Sequence, residues 1–205
     1  MRGRLITIEG LDGAGKSTLA AGLAEALAAR RPVELLREPG GVELSERLRT
    51  LVKDPALRID ARAEALLYAA ARAQLVAERV QPLLESGTWV VLDRYVDSSL
   101  AYQGAARGLG LDDVAAVNRF GTGGLEPDRT LLLRADAATR TARQTSRGEG
   151  RDRLEREDGA FFATAEAAYE RLAAAEPGRV RVLDAGGDPA DVLAGALAAL
   201  ADLDG

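Results

Sequence analysis

The segment LITIEGLDGAGKS, residues 5–17, is the most informative part of this 205-residue chain. Its first five residues form an apolar β-rich run, and its last eight match the pattern G-x-x-x-x-G-K-[ST]. An alanine-rich segment of helical character follows over residues 16–30. A glycine-rich loop between a strand and a helix points backbone N–H groups and the helix N-terminus at anionic oxygens. The stretch therefore predicts a P-loop that binds the phosphates of a nucleotide.

Short β-rich runs alternate with longer helical stretches along the rest of the chain. The runs occupy residues 5–9, 33–37, 89–93, 130–134 and 180–184. This alternation predicts an α/β protein with the three-layer P-loop NTPase fold, a five-stranded parallel sheet flanked by helices. The first, third and fifth runs are almost continuously apolar, which predicts that they are central strands buried on both faces. The carboxyl ends of parallel strands share one edge of a sheet, where we expect the ligand.

No internal repeat and no break in composition marks a second domain, so we predict a single domain over residues 1–205. We predict helices over residues 16–30, 44–52, 61–86, 98–103, 112–120, 155–175 and 189–203. Gly87 is a C-cap candidate after the long third helix. The polar, glycine-punctuated and arginine-dense segment around residues 145–155 predicts a short mobile lid.

Composition excludes several classes of chemistry. The chain has no histidine and no cysteine, so catalytic triads and metal sites built on those side chains are excluded. A net charge of −5 argues against a nucleic-acid or membrane surface as partner. No signal-peptide core precedes Glu9 and no apolar run of membrane-spanning length follows, so we expect a cytoplasmic protein.

Lysine is rare in this chain, since Lys16 and Lys53 are the only two among 27 basic residues. A lysine kept in an arginine-rich composition is a candidate for a task that needs a compact, flexible point charge. Lys16 has such a task in the P-loop, where it would reach the β- and γ-phosphates. For Lys53, chance explains the presence of a lysine equally well.

Three ordered blocks give the chain a specific resemblance. They read EGLDGAGKST at residues 9–18, REPGG at residues 37–41 and DRYVDSSLAYQG at residues 93–104. In these blocks the chain resembles the bacterial thymidylate kinases over nearly its whole length. The resemblance implies Mg²⁺-dependent phosphoryl transfer from ATP to dTMP, giving dTDP, by a homodimer. The alternatives are a kinase of another pyrimidine monophosphate such as dUMP, or a nucleotide-dependent switch or partitioning protein.

The P-loop supplies the predicted ATP site. Its members are Gly10, Leu11, Asp12, Gly13, Ala14, Gly15, Lys16, Ser17 and Thr18. Ser17 would hold Mg²⁺, with Asp93 at the end of the third run completing the metal environment through water.

The predicted dTMP site combines residues from all three blocks and from the long third helix. Its members are Asp12, Glu38, Pro39, Tyr68, Arg72, Arg94, Ser98, Ser99, Tyr102 and Gln103. Tyr68 and Arg72 lie four residues apart, so they share a helix face on which a ring and a guanidinium could contact a thymine. The resemblance assigns Tyr102 to exclusion of the ribose 2′-hydroxyl and Asp12 to the sugar 3′-hydroxyl. Arg94 would grip the acceptor phosphate.

The acceptor phosphate is already ionised at neutral pH, so transfer needs charge neutralisation and no general base. The predicted catalytic cations are Lys16, Arg94, Arg147, Arg151 and Arg153. Because the P-loop interior carries no arginine, the resemblance suggests that Arg147 or Arg153 closes over ATP from the lid. Asp152 and Glu155 have two equally weighted interpretations, a helix capping box and a role near Mg²⁺ or the acceptor phosphate.

Overall fold

A computed structural model describes residues 2–146 and 152–204. In this part of the chain the strands are β1 (Leu5–Glu9), β2 (Val33–Arg37), β3 (Trp89–Asp93), β4 (Arg129–Arg134) and β5 (Val180–Asp184). They form one sheet in the order β2-β3-β1-β4-β5, and every neighbouring pair is parallel. The predicted five-stranded parallel sheet is confirmed.

The prediction of the buried strands is right for β1 and β3 and wrong for β5. Four of the five residues of β3 and all five of β1 are buried, whereas β5 lies at the sheet edge with alternating exposure. The third central strand is β4, whose first five residues are buried. An apolar run indicates that part of a strand is buried. The position of that strand in the sheet depends on the path of the whole chain.

Helices fill the connections between the strands. They are α1 (Lys16–Ala28), α2 (Glu43–Lys53), α3 (Ala61–Leu75), α4 (Gln81–Glu85), α5 (Val96–Ser99), α6 (Leu111–Thr122), α7 (Ala137–Ser146), α8 (Gly159–Ala175) and α9 (Pro189–Ala199). π-helical segments continue α3 over Val76–Val80 and α5 over Leu100–Ala106, and a 3-10 turn spans Ala201–Asp204. None of the predicted helices corresponds to α7. Its ten residues include few apolar side chains, and no residue of this helix is buried.

The start of α8 differs from the predicted boundary at Glu155. Asp152 and Glu155 do form the reciprocal hydrogen bonds of a capping box, with Asp152 N–H donating to Glu155 and Glu155 N–H donating to Asp152, both at 3.0 Å. The chain then turns without continuing as a helix. The helix begins at Gly159, where the side chain of Asp158 accepts from Phe161 N–H at 2.8 Å.

The sheet separates two apolar layers. On one face, side chains such as Ile8 and Leu131 pack against α1 and α9. On the other face, Leu92 packs with residues that follow α3, and Leu132 packs with α8. Within the described ranges, no helix is long and apolar enough to span a bilayer. Both layers leave the carboxyl edge of β1, β2 and β3 open, and the candidate site lies there.

Candidate active site

The P-loop lies between β1 and α1, as the sequence predicts. Gly10, Gly13 and Gly15 adopt positive φ angles of 133°, 84° and 100°. A Cβ atom on Gly13 would lie 2.5 Å from the carbonyl oxygen of Arg140, so a side chain at that position would collide with the α7 backbone. The glycines therefore permit both the turn of the loop and its close packing.

Lys16 lies at the start of α1 and is buried. Its Nζ donates to the carbonyl oxygen of Leu11 at 2.9 Å and lies 3.7 Å from Asp12 Oδ1. Burial, together with the nearby charge of Arg94, lowers the pKa of Lys16 to about 8. An anion entering the loop would favour the charged form of this lysine.

Ser17 and Asp93 meet across the sheet edge. Ser17 Oγ donates to Asp93 Oδ2 at 2.8 Å, beside the loop that would hold phosphates. A hydroxyl and one carboxylate are the oxygen donors that a P-loop offers to Mg²⁺, with phosphate oxygens and water supplying the other ligands. The donor chemistry of this pair therefore fits the ion.

Arg94 occupies an unusual backbone position, since its φ of 72° is the only positive value among the non-glycine residues that the structure describes. Its guanidinium lies between the P-loop and α5: Nη2 is 2.5 Å from Asp12 Oδ1, and Nη1 donates to Ser98 at 3.0 Å. The guanidinium carbon lies 5.3 Å from the centre of the Tyr102 ring. Although burial acts to raise the pKa of Asp12, the charges of Arg94 and Lys16 lower it well below its usual value.

The sequence analysis did not assign a role to Glu9, the residue directly before the P-loop. Glu9 is fully buried at the end of β1 and accepts from Tyr95 N–H at 2.7 Å, Ser98 Oγ at 2.6 Å and Tyr169 Oη at 2.9 Å. Burial, and next the charge of Asp97, raise the pKa of this carboxyl group. The acid directly before the P-loop glycine thus ties the segment after β3 to β1.

Arg72 organises the other end of the site. Its Nε lies 2.7 Å from Glu38 Oε2, and its two terminal nitrogens donate to Ser99, Asn118 and the carbonyl oxygen of Tyr95. Arg72 and Glu38 are both buried. Burial raises the pKa of Glu38 to about 7, with Arg72 opposing the shift. The pair joins α3 to the chain after β2, where Glu38 precedes Pro39 in a cis peptide bond.

These two ends open onto one cavity of about 450 Å³. All ten residues of the predicted dTMP site line this cavity, together with Gly13, Lys16, Ser17, Thr18 and Asp93. Arg37, Arg49, Lys53, Asp152, Leu154 and Glu155 line it as well. The remaining P-loop residues do not line it and lie in the loop between β1 and α1: Gly10, Leu11, Ala14 and Gly15.

Arg49 and Lys53 are pocket residues that the sequence analysis did not place. They lie four residues apart on α2 and therefore share a face, which is the signal that could have found them. Arg49 Nη1 donates to the carbonyl oxygen of Pro39 at 2.8 Å, and Lys53 Nζ lies 2.9 Å from Asp152 Oδ2. Arg143 on α7 was also missed, and its guanidinium donates to the carbonyl oxygens of Ala14 and Ala185.

The predicted lid arginines divide into two groups. Arg147 and Arg151 lie outside the described residues. Arg153 contacts α2 and α3: its Nε donates to the carbonyl oxygen of Val52 at 2.9 Å, and its Nη2 lies 2.6 Å from Glu64 Oε2. The assignment of Arg153 to closure over ATP stays a prediction.

Comparison with known proteins agrees with this geometry. The family model described as thymidylate kinase matches residues 8–194. The chain belongs to the thymidylate kinase family. A thymidylate kinase of Rhizorhabdus wittichii is 48% identical, with 99% of each chain covered, and one of Deinococcus radiodurans is 49% identical over 90% of this chain and 89% of its own. The crystal structure of thymidylate kinase from Ehrlichia chaffeensis superposes with a TM-score of 0.81 at 27% identity, covering 98% of this chain and 99% of that one.

Proposed function

We propose that this member of the thymidylate kinase family transfers the γ-phosphoryl group of ATP to dTMP, giving ADP and dTDP. The observation that carries the proposal is the cavity that joins the P-loop to a polar acceptor end. A nucleotide switch or partitioning protein needs only the first of these. The buried Arg72 and the cavity-lining Tyr68 and Gln103 form a second recognition surface that such a protein would not use.

The P-loop residues 10–18 would bind the ATP phosphates through backbone N–H groups and Lys16 Nζ. Ser17 and Asp93 would hold Mg²⁺, and the bound ion would supply positive charge to neutralise the donor phosphates. Lys16 now donates to the carbonyl of Leu11 and would exchange that contact for a phosphate oxygen.

At the acceptor end, Tyr68 and Arg72 would contact the base, with Ser98, Ser99 and Gln103 nearby. Tyr102 would fill the space beside the sugar, and Glu38 and Pro39 would bound the acceptor side. Arg94 would hold the dTMP phosphate, and Asp12 already orients this guanidinium. Fixed in this way, Arg94 loses little conformational freedom on binding.

In the transfer step, an ionised oxygen of dTMP attacks the γ-phosphorus atom. A new P–O bond forms, and the bond between that phosphorus and the β,γ-bridging oxygen breaks with its electron pair leaving on ADP. No proton has to be removed, in keeping with a site that has no histidine. Lys16 and Arg94, with Arg147, Arg151 and Arg153 as further candidates, would stabilise the charge of the transferring group.

The test is ADP release by the purified chain with ATP and Mg²⁺, comparing no acceptor, dTMP, dUMP, dCMP, AMP and GMP. We expect turnover that depends on dTMP, with dUMP weaker. Hydrolysis that ignores every acceptor would overturn the proposal. Omitting Mg²⁺ and adding a chelator should abolish turnover.

We also propose that the chain acts in the cytoplasm as a homodimer. Phe120 on α6 is 91% exposed and Leu66 on α3 is 57% exposed, and the two helices are neighbours, since Gly121 packs against Ala69. Large exposed apolar side chains on adjoining helices support a protein interface. Light scattering after size exclusion tests this: we expect a dimer, and Phe120→Arg should give a monomer.

A further inference from the structure

Glu64 is a buried carboxylate that the mechanism above does not use. It lies on α3, two turns before Arg72, and has no accessible surface. Three side chains from other parts of the chain surround it: Gln103 Nε2 donates at 2.8 Å, Arg153 Nη2 lies at 2.6 Å and Arg107 Nη2 at 3.2 Å. A buried carboxylate with partners on every side has a defined position.

The contact with Gln103 determines which end of its carboxamide meets the cavity. A carboxylate only accepts hydrogen bonds, so the Gln103 nitrogen must face Glu64. The carbonyl oxygen Oε1 then points to the opposite side of the amide. Gln103 is buried, lines the cavity, and its Oε1 accepts no hydrogen bond from the residues that the structure describes. The free polar atom at this position is therefore an acceptor.

Arg72 also lines the cavity and contributes a hydrogen-bond donor. Four of its five N–H groups are directed at Glu38, Ser99, Asn118 and Tyr95, which leaves one at Nη2. Arg72 donates to Ser99, which precedes Gln103 by four residues in a helical segment. Arg72 and the Gln103 carboxamide are therefore neighbours along one wall of the cavity. This wall offers one acceptor and one donor.

This acceptor and donor are complementary to one edge of thymine and uracil, which carry an N3–H donor beside a C4 carbonyl acceptor. Cytosine carries an unprotonated N3 acceptor beside an amino donor, so both of its groups would meet a group of the same kind. A site that leaves buried polar groups unpaired with the wrong ligand discriminates strongly against it.

We propose that Glu64 is a positioning residue for base selection: it holds the Gln103 carboxamide with Oε1 toward the N3–H of the acceptor base. The inference rests on the proposed function. Without the carboxylate, the carboxamide could rotate by half a turn and present its nitrogen, which would suit cytosine N3.

The experiment compares kcat/KM for dTMP and dCMP in the wild-type chain and in Glu64→Gln. The new carboxamide can either donate or accept, so it no longer selects one orientation of Gln103. We expect the wild-type preference for dTMP to be ~10³ or more and to fall at least ~10-fold in the variant. Part of that fall must be a gain in kcat/KM for dCMP, because general damage to the fold would lower both values.

Arg107→Gln is the matched control, because it also removes a partner of Glu64 but leaves the Gln103 contact in place. We expect a lower melting temperature and an unchanged preference. If Glu64→Gln does not fold because two arginines lose their carboxylate, the double variant Glu64→Gln/Arg107→Gln removes one of those charges and carries the same expectation for dCMP.

A folded Glu64 variant with the wild-type preference would overturn the proposal, as would an equal loss of preference in the Arg107 control. One further result is independent of the variants: wild-type protein that binds N3-methyl-dTMP as tightly as dTMP by calorimetry would also overturn it. Calorimetry with dTMP and dCMP needs no turnover. It therefore tests the orientation of Gln103 even if the ADP-release assay rejects the proposed function.

Discussion

The donor and acceptor ends of the cavity are built in different ways. The donor end is one continuous stretch, in which backbone groups of residues 10–18 and the first turn of α1 form the site. The acceptor end is assembled from side chains on α2, α3, α5 and the loop after β2, and buried ion pairs such as Arg72 with Glu38 hold it together. A change at the donor end should therefore affect the rate of phosphoryl transfer, whereas a change at the acceptor end should affect both stability and substrate recognition.

The largest effect is expected for Lys16→Ala. The substitution removes a positive charge from the transferring phosphoryl group, so kcat should fall at least ~10³-fold. Stability should change little, because Lys16 is a buried charge whose desolvation already opposes folding. ADP-release kinetics and urea unfolding measure the two quantities, and a large loss of stability without a loss of kcat would contradict the comparison.

Arg72→Met should show the opposite pattern. It leaves Glu38, Asn118 and Ser99 without their common partner in the interior, and breaking a buried pair in this way typically costs about 3–5 kcal/mol. Urea unfolding at pH 8, where Glu38 is largely ionised, should give the full effect. The control is Arg72→Met/Glu38→Gln, which removes the unpaired charge and should recover part of the loss.

The pH dependence of ATP binding gives a smaller effect that is specific to the donor end. Since the pKa of free Lys16 is about 8, raising the pH from 7 to 9 neutralises it, and the Kd for ATP should increase roughly 10-fold. The folded-state pKa is below the value of 10.5 for an ordinary lysine, so folding itself should gain stability between pH 8 and 10.5. From pH 8 to 9 arginine remains protonated and Glu38 is already largely ionised, so the Kd for dTMP measured by calorimetry should stay within about 2-fold over that interval.

The smallest effect is expected for the pair of Lys53 and Asp152. These groups lie 2.9 Å apart with Lys53 39% exposed, and such pairs contribute about 0–1 kcal/mol. Lys53→Gln should therefore change the free energy of unfolding by less than about 1 kcal/mol. A drop in kcat of ~10-fold or more would instead show that Lys53, like Lys16, takes part in the reaction. Lys53→Arg, which keeps the charge, distinguishes the two outcomes.

Much of the fold was predictable because its signals are local. The bounds of β1, β2, β3 and β5 follow directly from apolar runs, and β4 begins one residue earlier than predicted. The polar helix α7 has no buried residue and so lacked an apolar pattern. The predicted start of α8 at Glu155 is wrong for a different reason: the capping box at Asp152 exists, but the chain turns before the helix begins at Gly159.

The P-loop, the parallel sheet and the residues of the three blocks were readable from the sequence alone, because each is encoded in short local patterns of residues. The three-dimensional packing was needed to show that β4 rather than β5 is central and that Glu9 holds the segment after β3. It was also needed to show that Glu64 contacts Gln103, Arg107 and Arg153. These contacts join residues far apart along the chain. Their geometry depends on how helices pack on the sheet, and no local pattern in the sequence carries that information.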